Sequence, residues 1–142
     1  MYKTTQQLIR IIEKGNPLPY PSDTLIPLFK GKHNEWVYYS FLWSTFAKSI
    51  KENTVVNGMF ECPNKLAEEK LNLSERQITK VRTYLVKENW ITISQEHLDG
   101  KTIWLVLLHE KKLKEEIAKA IEEGKGGKQW TKETKTLLTS LS

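Results

Sequence analysis

The sequence predicts a mainly helical α+β domain. Two patterns carry that expectation. Several stretches repeat apolar residues three and four apart, and one stretch, 91–108, alternates around a central Asp99-Gly100 pair. A third observation bounds the size. With 142 residues, 39% of them hydrophobic and 27% charged, the chain can build one core beneath an ordinary polar surface. Disorder throughout is excluded.

The elements follow in order. Thr5 to Lys14 has Leu8, Ile9, Ile11 and Ile12 on a helical stripe, with Gly15 as its stop. Gly15 to Pro27 holds four of the five prolines and is expected to be an extended arm, because each proline fixes φ and removes a donor. Asn34 to Ile50 is the first long helix. Trp36, Tyr39, Trp43, Phe46 and Ile50 share one face, and Tyr38, Phe41, Leu42 and Thr45 lie around the rest of the cylinder. Such a helix must be covered on more than one side. The arm, the C-terminal helix, a second copy of the chain or stacked nucleic-acid bases can each supply that cover.

Asn57-Gly58 marks a turn, followed by a short strand at Met59 to Glu61. Pro63 stands at or just before the next helix, with Asn64 as candidate cap and Leu66, Ala67 and Leu71 as its apolar face. Asn72-Leu73-Ser74 interrupts the period. Ser74-Glu75-Arg76-Gln77 then has the form of a capping box, and the helix behind it buries Ile78, Val81 and Leu85, ending near Asn89. Asp99-Gly100 is the favoured pair for a two-residue hairpin turn, which sets Ile93 opposite Val106 and Ile91 opposite Leu108. Ile91, Ile93, Trp104, Val106 and Leu108 then share one face, and Ile103, Leu105 and Leu107 point to the other. Lys111 to Glu123 is a charged helix with a narrow seam of Leu113, Ile117, Ala120 and Ile121. Gly124 to Lys128 reads as a flexible linker, and Gln129 to Ser142 as a short amphipathic piece. The expected organisation is a helix and Pro-rich arm over 1–33, a core over 34–110, and a charged helix with a tail over 111–142.

The run GMFECPNKLAEEKLNLSERQITKVRTYLVKENWITI, with the QEHLDGKTIWLVLL hairpin after it, resembles a winged helix-turn-helix domain across residues 58–108. Leu66-Ala67, Leu71, Leu73, Ile78, Val81, Leu85 and Ile91 carry the resemblance, since two short helices crossing steeply over a small core need these positions in register. Asn72 departs from the usual turn Gly, and Asn89-Trp90 from the usual Gly-Leu. The wider plan is an aromatic leading helix after an arm, with a charged helix behind. It is similar to winged-helix modules of replication proteins from bacteria, phages and plasmids, the DnaD-type N-terminal domain being the nearest comparison. The resemblance implies DNA binding through the second helix of the pair and the hairpin. Arg76, Gln77, Thr79, Lys80, Arg82 and Thr83 avoid the apolar stripe and are the candidate contacts, with Lys101 at the hairpin tip. Gln77 has a competing task in the capping box, and Glu96 and Asp99 oppose Lys101.

Charge distribution tempers that reading. The net charge is +5, but residues 61–110 carry 7 basic and 8 acidic groups, whereas 1–60 and 111–142 are each +3. A near-neutral core argues against a strong autonomous duplex reader. Three functions follow. The first is a DNA-binding accessory protein of replication or of a mobile element, able to prefer single strands. The second is a dimeric sequence-specific regulator. The third is an interaction module that has lost DNA binding, engaging a second copy or a replication protein through the aromatic helix, the outer strand face or the tail.

Catalysis is not expected. Gly124 to Lys128 lacks the spacing of a phosphate loop, and His33, His97 and His109 have no metal-ligand spacing, so neither a cofactor nor a metal is expected. The lone Cys62 excludes an internal disulfide framework and reads as a small buried hydrophobe. With no long apolar stretch and no basic-then-apolar leader, the expected location is the cytoplasm, away from membranes.

Overall fold

Helices form wherever the three-four periodicity is sustained. The computed structural model describes residues 3–13 and 22–123. In chain order these form α1 (Lys3–Glu13), a 3-10 helix (Asp23–Phe29), α2 (His33–Lys51), β1 (Phe60–Glu61), α3 (Asn64–Leu71), α4 (Glu75–Lys87), β2 (Ile91–Leu98), β3 (Lys101–Leu108) and α5 (Glu110–Glu122). The fold is α+β and mainly α, with one three-stranded antiparallel sheet in the order β1-β3-β2. Among the described residues no helix is long and apolar enough to cross a membrane.

The core is organised around α2. Tyr38, Tyr39, Phe41, Leu42, Trp43 and Phe46 are all buried, so both apolar sets of this helix are covered within one chain. The covering elements are the 3-10 helix, α3, α4 and β1. Phe46 stacks on Phe60 of β1 at 5.1 Å, and Trp43 lies 5.8 Å from Phe46. At the other end Phe29, Tyr39 and Trp90 form a ring cluster with centroids 4.9 to 5.2 Å apart, and Lys112 of α5 sits 5.1 Å above Trp90. The rings of Tyr38, Tyr39, Phe41, Trp43 and Phe46 are thus occupied by the protein's own core, and Trp36 is half-buried.

The turns depend on asparagine and aspartate. Asn53, Asn57, Asn72, Asn89 and Asp99 all hold positive φ, the left-handed region that these short polar side chains tolerate better than other non-glycine residues. Asn72 ends α3 at φ 55, ψ 40, the task a glycine usually performs, and Asn89 at φ 64 redirects the chain after α4. Asp99 and Gly100 take φ 51 and 76, and the ladder sets Ile93 opposite Val106 and Ile91 opposite Leu108, as the turn requires.

Several elements differ from expectation. Residues 14–21, most of the expected arm, lie outside the described residues, as does everything after Glu123, including the expected linker and tail. Asp23–Phe29, by contrast, is a 3-10 helix rather than extended chain. Its Pro27 has a φ compatible with helical geometry, and burial of Leu25 and Phe29 against α2 rewards the coil. Ser22 fixes its start: its hydroxyl donates to Ile12 O at 2.6 Å, and its carbonyl accepts from the Trp36 indole at 2.6 Å. Pro63, not Asn64, occupies the cap position of α3, so Asn64 is the first helical residue. On the outer sheet face Ile103, Leu105 and Leu107 remain half-buried, and the Asn57-Gly58 turn approaches so closely that a Cβ on Gly58 would lie 3.3 Å from Leu107 Cδ1.

Candidate nucleic-acid interface

One face of α4 is left bare by packing. Ile78, Val81 and Leu85 turn inward, while Glu75, Arg76, Gln77, Thr79, Lys80 and Thr83 are exposed. The helix start is rigid because the capping box closes as expected: Ser74 Oγ accepts from Gln77 N at 3.1 Å, and Gln77 Oε1 accepts from Ser74 N at 2.8 Å. Gln77 is therefore held by its own backbone and has less of its side chain to offer elsewhere. Arg76 and Lys80 stand one turn apart beside Glu75 and Thr79, around a shallow depression of about 520 Å³. Thr83 Oγ1 donates back to Thr79 O at 2.9 Å. Lys101 is exposed beside the hairpin tip, opposite Leu98.

Arg82 departs from the sequence expectation that it avoids the buried stripe. It is 6% exposed. Its Nε donates to Tyr38 Oη at 2.6 Å and its Nη2 to Cys62 O at 3.0 Å, while the guanidinium carbon lies 5.0 Å from the Trp104 ring centroid. The sequence contains the signal. Positions 78, 81, 82 and 85 follow the three-four rule, so Arg82 stands inside the buried stripe, and Tyr38 one layer away supplies its hydroxyl partner. The side chain ties α4, α2 and the start of α3 together rather than facing solvent. The exposed cationic set of α4 is then Arg76, Lys80 and Lys87.

Beside this face, between α4 and the hairpin, lies a cavity of about 580 Å³ lined by Asn64, Glu75, Thr79, Arg82, Thr83, Val86, Lys87, Ile93 and Trp104. Sequence reasoning missed it, because α3, α4, β2 and β3 must all be in place before these side chains meet. Two of the three histidines make hydrogen-bonding contacts within the fold. His109 makes contacts of 2.6 Å to Thr92 Oγ1 and 2.8 Å to Asn89 O, linking α5 to the hairpin base. His97 pairs across the hairpin with Thr102 at 3.2 Å. Among the described residues no three His, Cys, Asp or Glu side chains are grouped to hold a metal.

Burial around Arg82 has a consequence for pH. Desolvation pushes the Cys62 thiol up to about 11 and drives the Tyr38 and Tyr39 phenols upward from their ordinary value, with Arg82 partly offsetting it at Tyr38 and Cys62. All three groups bind their protons more tightly in the folded state. Their contribution to stability is complete below the unfolded pKa, 9.0 for the thiol and 10.0 for the phenols, and is lost as pH rises beyond it. The melting temperature is therefore expected to hold steady near neutrality and fall from about pH 9 upward. The cost is about 1.4 kcal/mol per pH unit for each group ionised only in the unfolded chain. Thermal melts across that range check it.

The chain matches no protein-family model, no curated protein and no solved structure.

Proposed function

We propose that the chain is a non-catalytic winged-helix protein that binds DNA through the exposed face of α4 and the β2–β3 hairpin. The observation that carries this reading is the bare face of α4. A helix fixed by a closed capping box leaves Arg76, Thr79, Lys80 and Thr83 free of core contacts beside a hairpin of two eight-residue strands. The order α3, Asn72–Ser74 break, α4, hairpin supports the winged-helix assignment. Arg76, Thr79, Lys80 and Thr83 are the contacts on α4, and Lys101 reaches a phosphate from the hairpin. Gln77 orients the helix, and Arg82 holds it against α2. The near-neutral charge of 61–110 favours moderate affinity, which suits an accessory factor in the replication of a bacterial mobile element, phage or plasmid better than a strong operator-binding regulator. Such a protein acts where DNA is opened, and single strands are its preferred ligand.

Fluorescence anisotropy of labelled 30-mers, single-stranded and duplex, at two salt concentrations tests the reading. Binding to single strands is expected to be tighter than to duplex. The Arg76→Ala, Lys80→Ala double variant is expected to bind about tenfold more weakly, with a salt slope shallower by roughly 1.4 for two lost single-strand phosphate contacts. Preference for one palindromic duplex would instead indicate the regulator. Absence of binding to either DNA at low salt would leave the interaction module, for which the half-buried Ile103, Leu105 and Leu107 and the exposed Leu98 supply a surface.

A further inference from the structure

The Arg82 guanidinium poses a problem that the fold leaves unsolved. A buried charge is ordinarily paired, because leaving it uncompensated away from water is costly. Here Nε and Nη2 are matched to a phenol and a carbonyl, both formally neutral, and Nη1 is buried with no hydrogen-bond partner. Among the described residues, no carboxylate forms an ion pair with Arg82. A second orphan lies on the same cavity: Asn64 Oδ1 is buried and equally without a partner. Thr24 Oγ1, Tyr39 Oη and Trp43 Nε1 are also buried without partners, but of these five atoms only Arg82 Nη1 and Asn64 Oδ1 belong to residues that line this cavity of about 580 Å³.

The rest of the lining says what would satisfy the Arg82 donor, whereas Asn64 Oδ1 is an acceptor and needs a donor that a carboxylate lacks. Ile93, Val86 and the half-buried Trp104 give apolar walls, and Thr79 and Thr83 give hydroxyls on one side. Glu75 stands seven residues before Arg82, about 10 Å along the helix axis, while Lys87 stands five residues after it, about 7.5 Å. The positive end of the cavity is therefore the Arg82–Lys87 end. A planar or branched apolar body with a single negative head matches this arrangement. A polyphosphate does not, because the walls beside the charge are apolar.

We infer that the cavity between α4 and the hairpin binds a small organic monocarboxylate, with its carboxylate on Arg82 at the floor and its apolar body against Trp104, Ile93 and Val86. The guanidinium carbon lies 5.0 Å from the half-buried Trp104 ring, which lines the cavity, so the carboxylate reaches Nη1 by local rearrangement at this wall. Thr79 and Thr83 belong both to this cavity and to the face assigned to DNA, so a bound acid is placed to change DNA affinity. That consequence rests on the DNA reading, whereas binding of the acid itself does not.

Benzoate is the probe, titrated into the full-length protein at neutral pH without DNA. NMR follows the Trp104 indole and Arg82 Nε–H resonances. The expected result is a saturable shift of both at millimolar benzoate, with benzyl alcohol at least about tenfold weaker because it lacks the charge. Asn64→Asp puts a competing carboxylate on the cavity lining. It is expected to weaken the benzoate response by repelling the anion, and Arg82→Met is expected to abolish the response. Should Arg82→Met fail to fold, Asn64→Asp carries the comparison alone. The proposal is overturned by absence of a saturable shift, by equal affinity for benzoate and benzyl alcohol, or by an Asn64→Asp protein that binds benzoate unchanged. Inorganic phosphate binding as tightly as benzoate would also overturn it, since the apolar walls would then contribute nothing.

Discussion

Trp43→Ala is expected to remove about 3–5 kcal/mol of stability, the range for deleting a large ring from a core that cannot fully collapse. Trp43 has no exposed surface and lies at the middle of α2, between the ring cluster around Phe46 and Phe60 and the cluster around Tyr39. Domains of this size are stable by only about 5–15 kcal/mol, so the variant keeps a small margin or none. Urea unfolding measures the loss. Trp36, half-buried at the edge of the same helix, provides the contrast and is expected to cost markedly less when truncated. The pair also separates two views of the aromatic helix. If its rings stacked on DNA bases, Trp43→Ala would weaken DNA binding beyond what its unfolded fraction explains. With the ring inside the core, binding follows the folded fraction alone.

Arg82→Ala is the second large effect, with an expected loss of about 2–4 kcal/mol from two orphaned buried acceptors and lost packing, partly offset by removing a charge that has no ionic partner. The change leaves the Tyr38 hydroxyl and the Cys62 carbonyl without their donors and opens space beside Trp104. Arg82→Met keeps most of the apolar stem and is expected to cost roughly half as much. Midpoints of urea unfolding for the two variants give the comparison. An arginine reaching out to phosphate would give the opposite pattern, with stability nearly unchanged and DNA affinity reduced.

The helices and the hairpin were legible because local rules agree with global ones there. The Asp99-Gly100 pair sets the register of sixteen strand residues, and the Ser74–Gln77 box sets the start of α4. The two asparagines standing where the resemblance expects glycine, Asn72 and Asn89, adopt positive φ, so both turns keep the left-handed backbone that a glycine would supply. Burial decided by distant partners was less legible. The 3-10 helix at Asp23–Phe29 exists because α2 offers its rings a place to pack, and four prolines in the neighbourhood suggested only extended chain. The stripe of Ile78, Val81 and Leu85 leaves Arg82 outside, whereas its spacing from Ile78 and Leu85 sets it inside, where the fold buries it. The cavity with Asn64 and Trp104 joins residues forty positions apart, and no periodicity announces such a meeting.

The most direct test of the α4 face is a titration of isotopically labelled protein with an unlabelled single-stranded 30-mer, following backbone amide shifts residue by residue. The largest shifts are expected at Arg76, Thr79, Lys80 and Thr83 and at the hairpin tip around Lys101, with α1 and α5 undisturbed. Shifts confined to α5 or to the outer strand face, at Ile103, Leu105 and Leu107, would contradict the assignment of α4 as the contact surface.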